Sequence, residues 1–241
     1  MRYFIEISYR GKKYHGWQIQ PDANSVQEEL NNAISVVLQE EISVLGAGRT
    51  DTGVHAEQMF AHFDTEQQLG VNYVHKFNSV LPEDIVIHAL QKVAEDKHAR
   101  FDAVSRSYQY KIWLGRNPFQ LDGTWQMHYQ KLDIAAMNEA SKLLLEYENF
   151  QAFSKVRTEV KTFNCDVTEA IWVQNGDELV FHISANRFLR NMVRAIVGTL
   201  IDVGKHKISI ENFRTIILSK DRSNAGLSVP AKGLYLTKIT Y

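Results

Sequence analysis

Residues 46–56, Gly-Ala-Gly-Arg-Thr-Asp-Thr-Gly-Val-His-Ala, gather an arginine, a carboxylate and a histidine into a glycine-rich stretch. Several chemistries compete for such a string. A dinucleotide-binding turn needs a third glycine three residues beyond Gly48, where this chain has Asp51, whose charge would face pyrophosphate. A phosphate loop needs Gly-Lys-Ser/Thr, which does not follow. A metal site can be drawn from Asp51, His55, His62 and Asp64. His55 and His62, however, lie seven apart on what reads as a strand and so point to opposite faces, and no His-Glu-x-x-His spacing occurs. Acid–base or nucleophilic chemistry survives best: Asp51 is presented from a tight loop, with Arg49 close enough to keep it ionised. On spacing alone, a plain turn with Asp51 on backbone amides and Arg49 in a surface ion pair fits equally well.

Two other stretches hold groups that such a carboxylate could use. Residues 103–114, AVSRSYQYKIWL, alternate strictly and predict a strand with Arg106, Tyr108, Tyr110 and Ile112 on one face. Tyrosine is a residue on which a nucleobase stacks, although tyrosines with their hydroxyls at a sheet edge satisfy the same pattern. Residues 186–203, NRFLRNMVRAIVGTLIDV, predict a helix with Asn186 as N-cap and Gly204 past its end. On that helix Arg187, Arg190 and Arg194 form one guanidinium stripe beside Leu189, Val193, Ile196, Val197 and Leu200, with no acid before Asp202. Solvated faces often look like this; phosphates, or a carboxylate needing a partner, also suit it.

The elements that must position these groups read as one order written twice. In the first half come a strand at 2–9, a Gly-rich basic loop, a helix at 26–39, strands at 42–48 and 56–64, a helix near 70–79 and a strand at 84–93. Ser25 and Glu28 predict a reciprocal capping box at the start of the first helix. In the second half come the strand at 103–114, a helix at 133–146, a hairpin of 162–173 and 178–185 around Gln-Asn-Gly-Asp, the arginine-bearing helix, a shorter helix near 209–218 and a terminal strand. Strand-helix-strand-strand-helix-strand is the ferredoxin-like plan. The expectation is an α+β chain of two such βαββαβ halves, 1–103 and 104–241, on one extended antiparallel sheet with a cleft between them.

Composition sets the outer bounds. Of 241 residues, 44% are hydrophobic and 23% charged, which is globular and argues against disorder. The N-terminus has no apolar run of signal-peptide length, and nothing reads as entering a membrane. The single cysteine, Cys165, can make no internal disulfide or thiolate cluster; a reducing cytoplasm and burial as a small apolar residue are expected. The net charge of −1 divides into −6 over residues 1–105 and +5 over residues 106–241, so a nucleic-acid partner would have to use local basic stripes.

The stretches GAGRTDTGVHA with HFDT, FNSVLPEDI, HARFDAVSRSYQY, NRFLRNMVRAIVGTLIDVG and GLSVPAKGLYLTKITY, with YRGKKYHGWQIQ and SVQEEL before them, resemble the tRNA pseudouridine synthase A family. The resemblance runs from about residue 2 to 241 in one order. It implies two ferredoxin-like halves, a homodimer and a basic active-site cleft, with no metal, nucleotide or redox cofactor. The implied reaction converts uridine to pseudouridine at positions 38, 39 and 40 of the tRNA anticodon stem-loop. Carried onto matching positions, Asp51 is the essential carboxylate and Arg49 helps extrude the target nucleotide. Tyr108 stacks on the flipped uracil and helps move the C5 proton, while Arg194 pairs with Asp51. Arg187 and Arg190 are candidates for the RNA backbone, and His55 supports the loop. The chain departs from the common pattern at Ile19, often basic, at Arg190, often His, and at Thr52, often Ala. A non-catalytic RNA-binding module on the same scaffold is the alternative reading, although a pure binder gains little from an anion facing RNA.

Overall fold

The structure, a computed structural model, describes residues 1–128, 131–156 and 160–241. Among these, nine strands and five α-helices make a mixed α/β chain, and no helix is long and apolar enough to cross a membrane. The chain divides into two compact units, Met1–Val104 with Leu236–Tyr241, and Ser105–Tyr235.

The first unit is built on β1 (Arg2–Tyr9), whose alternation is carried through: Tyr3, Ile5, Ile7 and Tyr9 are buried and the residues between them are half-buried. It pairs antiparallel with β3 (His55–Asp64) on one side and β4 (Ile85–Val93) on the other. The short β2 (Leu45–Gly46) joins β3 antiparallel, giving the order β4-β1-β3-β2. Helices α1 (Val26–Leu38) and α2 (Asn72–Asn78) complete the unit. Val26, Leu30, Ala33, Ile34 and Leu38 of α1 and Phe77 of α2 are buried with the inward residues of β1. Ser25 caps α1 by accepting the Glu28 N–H at 3.3 Å, the first of the two bonds expected there. The complete reciprocal box occurs elsewhere, between Ser209 and Asn212 at the start of α5 (Ile210–Ser219).

The predicted strand at 42–48 shrinks to Leu45–Gly46. The cause lies in α1: Ser35 Oγ accepts the Ile42 N–H, Asn31 Oδ1 accepts the Val44 N–H, and Gln27 Nε2 donates to the Val44 carbonyl. Backbone groups so engaged are not offered to a neighbouring strand.

The second unit holds β5 (Ser105–Leu114), β6 (Trp125–Met127), β7 (Val167–Asn175) and β8 (Glu178–Ala185). β5 pairs antiparallel with β8 and β8 with β7, while β6 runs parallel to β5. The hairpin begins at Val167, later than the predicted 162. The unit also contains α3 (Ile134–Lys142), α4 (Met192–Gly204) and α5. α4 is the buried core helix, with Ala195, Ile196, Val197 and Leu200 all inaccessible. Gly198 is required where it stands, because a Cβ there would lie 1.8 Å from the Leu227 carbonyl oxygen. The terminal strand β9 (Leu234–Thr240) starts in this unit and ends in the other.

The helix expected from Asn186 begins instead at Met192. Asn186 is tied to Asp166 by two bonds, its N–H donating to the Asp166 carbonyl and its Oδ1 accepting the Asp166 N–H. The Arg190 carbonyl accepts the Lys155 N–H, and Asn191 turns the chain with φ 66°, in the left-handed region that asparagine tolerates. Arg187 and Arg190 therefore lie on a non-helical approach, Arg194 alone is on the helix, and the three do not form the predicted stripe.

Candidate active site

The loop carrying Asp51 is held by the segment 9–17. Ala47 N–H donates to the Phe60 carbonyl, Trp17 N–H to Thr50, and Gly53 N–H to Tyr14. The Tyr9 hydroxyl bonds the Thr50 hydroxyl at 2.9 Å, and the Val54 N–H closes the turn onto the Asp51 carbonyl at 3.1 Å. Gly16 explains the glycine-rich character of the supporting segment: its φ is +95°, and a Cβ there would meet the Thr50 carbonyl oxygen at 2.4 Å. That segment is anchored in turn through Tyr14, whose hydroxyl donates to Asp84 Oδ1 at 2.6 Å, with Lys13 3.2 Å from the other carboxylate oxygen. Burial, then the bond to Asp84, raises the Tyr14 pKa and keeps it a donor. His55 is 1% exposed, and its Nδ1 accepts the Gly11 N–H at 3.2 Å. That bond ties the start of β3 to the segment 9–17. Asp51 is left half-buried and Arg49 exposed, both on the same short loop.

In the second unit, β5 carries the expected face, graded along its length. Tyr110 and Ile112 are fully buried, whereas Arg106 and Tyr108 are half-buried. The Tyr110 hydroxyl donates to the Pro230 carbonyl at 2.8 Å, and burial raises its pKa. Arg106 Nη1 donates to the Asn186 carbonyl. Tyr108, opposite Ile183 of β8, packs edge-to-face with Phe188, ring centroids 5.0 Å apart at 84°. Arg187 is half-buried with Nη1 3.5 Å from the Thr162 carbonyl, and Arg190 is exposed.

Arg194 sits in the first turn of α4, clamped by the segment 222–229. Its Nε donates to the Val229 carbonyl at 2.7 Å, and its own carbonyl accepts the Val229 N–H. Ser228 Oγ accepts from Asn191 Nδ2 at 2.6 Å and from Arg222 Nη2 at 3.0 Å. Gly226 N–H donates to Thr199 Oγ1. Sequence reasoning missed Phe188, Asn191, Arg222 and Ser228. The signal available was a Gly/Ser/Pro-containing stretch, NAGLSVPAKG, directly after the helices, which is the composition of a shaped loop.

Asp51 and Arg49 thus belong to the first unit, and Tyr108, Arg187, Arg190 and Arg194 to the second. Among the described residues no three of His, Cys, Asp and Glu gather into a metal-holding group. His62 Nδ1 accepts the Ala99 N–H, and Asp64 is paired with Arg2 at 2.7 Å. Cys165 is buried, which pushes its thiol up to about 11, outside the range of a reactive thiolate.

A family model described as tRNA pseudouridine synthase matches residues 140–241. A curated relative from Porphyromonas gingivalis, named tRNA pseudouridine synthase A, is 50% identical over 246 residues, covering 100% of this chain and 97% of its own length. One of the same name from Parabacteroides distasonis is 47% identical, covering 100% of this chain and 96% of the relative. Another from Bacillus licheniformis is 38% identical, covering 100% and 99%. Such identity along the whole length takes in both the Asp51 loop and the arginine-bearing segment, and with it the chain belongs to the tRNA pseudouridine synthase A family.

Proposed function

We propose that this chain isomerises uridine to pseudouridine at positions 38, 39 and 40 of the tRNA anticodon stem-loop. The observation that carries the reading is full-length similarity to relatives named tRNA pseudouridine synthase A, one of them 50% identical. In the reaction the bond from N1 to C1′ breaks, the uracil turns, C5 bonds to C1′, the C5 proton leaves and N1 takes up a proton. No atom is gained or lost from the nucleotide except by proton exchange, so the residues need supply only a carboxylate, a stacking ring and charge.

Asp51 is the essential carboxylate, on a loop whose backbone is tied at Ala47, Thr50, Gly53 and Val54. Arg49, exposed two residues earlier, takes the place of the extruded uridine and offsets the few kcal/mol that unstacking costs. Tyr108 stacks on the flipped base and assists loss of the C5 proton, with Phe188 steadying its ring. Arg194 pairs with Asp51, keeping it ionised and oriented. Arg187 and Arg190 contact phosphates from the approach to α4. Support for ferredoxin-like halves comes from the strand order β4-β1-β3-β2 of the first unit. The active protein is a cytoplasmic homodimer that needs no metal or other cofactor.

The test is pseudouridine mapping in tRNA transcripts incubated with the protein in EDTA. Product is expected at 38, 39 and 40 wherever uridine stands there, and not where cytidine replaces it. Pseudouridine at other positions, or activity only after metal is restored, would contradict the assignment. A light-scattering mass near 27.7 kDa, not twice it, would remove the dimer.

A further inference from the structure

We infer that a notch beside Arg49 is a second RNA subsite, holding a tRNA nucleotide other than the uridine being isomerised; this rests on the reading that the chain acts on tRNA. The notch, about 170 Å³, is bounded by Trp17 and Gln18, by Gly48 and Arg49, and by Arg100 and Phe101. No Asp or Glu lines it, although residues 1–105 carry a net charge of −6. Asp51 does not line it either, so it is not where the reacting sugar sits. Two guanidinium groups, an aromatic platform and a primary amide together match phosphate, base face and base edge.

The turn bearing Arg100 and Phe101 is rigidly built. Asp102 Oδ2 accepts the His98 N–H, and His98 Nδ1 accepts the N–H groups of Arg100 and Phe101 at 3.1 and 3.4 Å. Ala99 is held twice, its N–H on buried His62 and its carbonyl under the Tyr241 hydroxyl at 2.7 Å. The His98 ring lies 4.6 Å from His62 and 4.3 Å from Phe101. Yet Phe101 remains 74% exposed, with the Arg100 guanidinium 5.8 Å from its ring centre. Backbone so firmly pinned, ending in a phenylalanine mostly in water, gains little core packing from that ring. It presents a ready stacking surface with a cation alongside.

The experiment measures binding of full-length protein to a tRNA transcript at roughly 50 to 200 mM salt, together with steady-state kinetics. Phe101→Ala weakens binding about tenfold without changing the salt slope, as expected for a lost stack. Arg100→Gln weakens it and reduces the slope of log K against log salt by about one, the mark of one lost phosphate contact. In both, KM for tRNA rises more than kcat falls. Phe101→Tyr keeps the ring and binds as wild type. Wild-type affinity and slope in both Phe101→Ala and Arg100→Gln, or loss of binding in Phe101→Tyr equal to that in Phe101→Ala, overturns the subsite while wild-type pseudouridine formation leaves the isomerase reading in place. A wild type that makes no pseudouridine, yet binds tRNA in a way both variants weaken, retains the subsite and removes the isomerase reading. Absence of tRNA binding by the wild type overturns both.

Discussion

Asp51 has its position because backbone bonds close on both sides of it, and one close approach that supports them depends on a side chain that is missing. At Gly16 the backbone carries φ +95° and lies against the Thr50 carbonyl. Gly16→Ala therefore combines left-handed strain with a clash, and is expected to cost about 2–4 kcal/mol in urea unfolding and to lower turnover. Gly176→Ala is the matched control: its φ is +59°, but nothing lies within 4 Å of the added Cβ, so only about 1 kcal/mol is expected. Equal costs for the two would show that the close approach to Thr50 has no energetic weight. His62 makes a second prediction at this scale. Burial, with the neighbouring His98 and Arg2 charges, lowers its pKa from 6.5 to about 4, and its Nδ1 accepts the Ala99 N–H only while unprotonated. Between about pH 6.5 and 4 the unfolded chain binds a proton at His62 that the folded chain does not. Stability present above that window is lost as pH falls through it, at up to about 1.4 kcal/mol per pH unit. His62→Asn removes this component, so its unfolding free energy falls less steeply over the same window. An unchanged acid slope would mean that His62 protonates without penalty.

At the scale of elements, the approach to α4 decides where Arg194 points. Asn191 supplies both the left-handed turn and the bond to Ser228 that joins the segment 222–229 to the helix start. Asn191→Ala is expected to lose about 2 kcal/mol, half from strain and half from the bond, measured by denaturant unfolding. Ser228→Ala should lose about 1 kcal/mol, and the double variant should fall short of the sum because both remove one interaction. Full additivity would deny the coupling. These elements also mark where sequence reasoning worked. The period-2 burial of β1 and the 3.6-residue period of α1 were legible because one face of each is core, and core positions repeat. Residues 42–44 have strand composition, but side chains of α1 occupy their backbone bonding groups. Arg187, Arg190 and Arg194 have helical spacing, yet Asn191 and the ties from Asp166 and Lys155 interrupt the helix. Asp51, Arg49 and Tyr108 stand out in the sequence because their types are unusual for their surroundings. Ser228 and Arg222 do not, since nothing about a loop serine or arginine signals that it clamps a helix start.

For the whole molecule the problem is to hold a polyanion with a chain of net charge −1. Charge must therefore be placed locally, as at Arg187, Arg190 and Arg194 in the more basic second half. If Arg187 and Arg190 meet phosphates, raising salt from about 50 to 200 mM should weaken tRNA binding by at least about tenfold. A flat salt response would remove the phosphate role of these arginines. Chemistry is a separate demand, and it is assigned to one carboxylate. The most direct test compares wild type with Asp51→Asn for release of tritium from C5 of uridine in a tRNA transcript, with tRNA binding measured alongside. With Asp51 as the essential carboxylate, the wild type releases tritium and Asp51→Asn releases none, although the variant binds tRNA. Release by Asp51→Asn at a rate near that of the wild type would contradict that role.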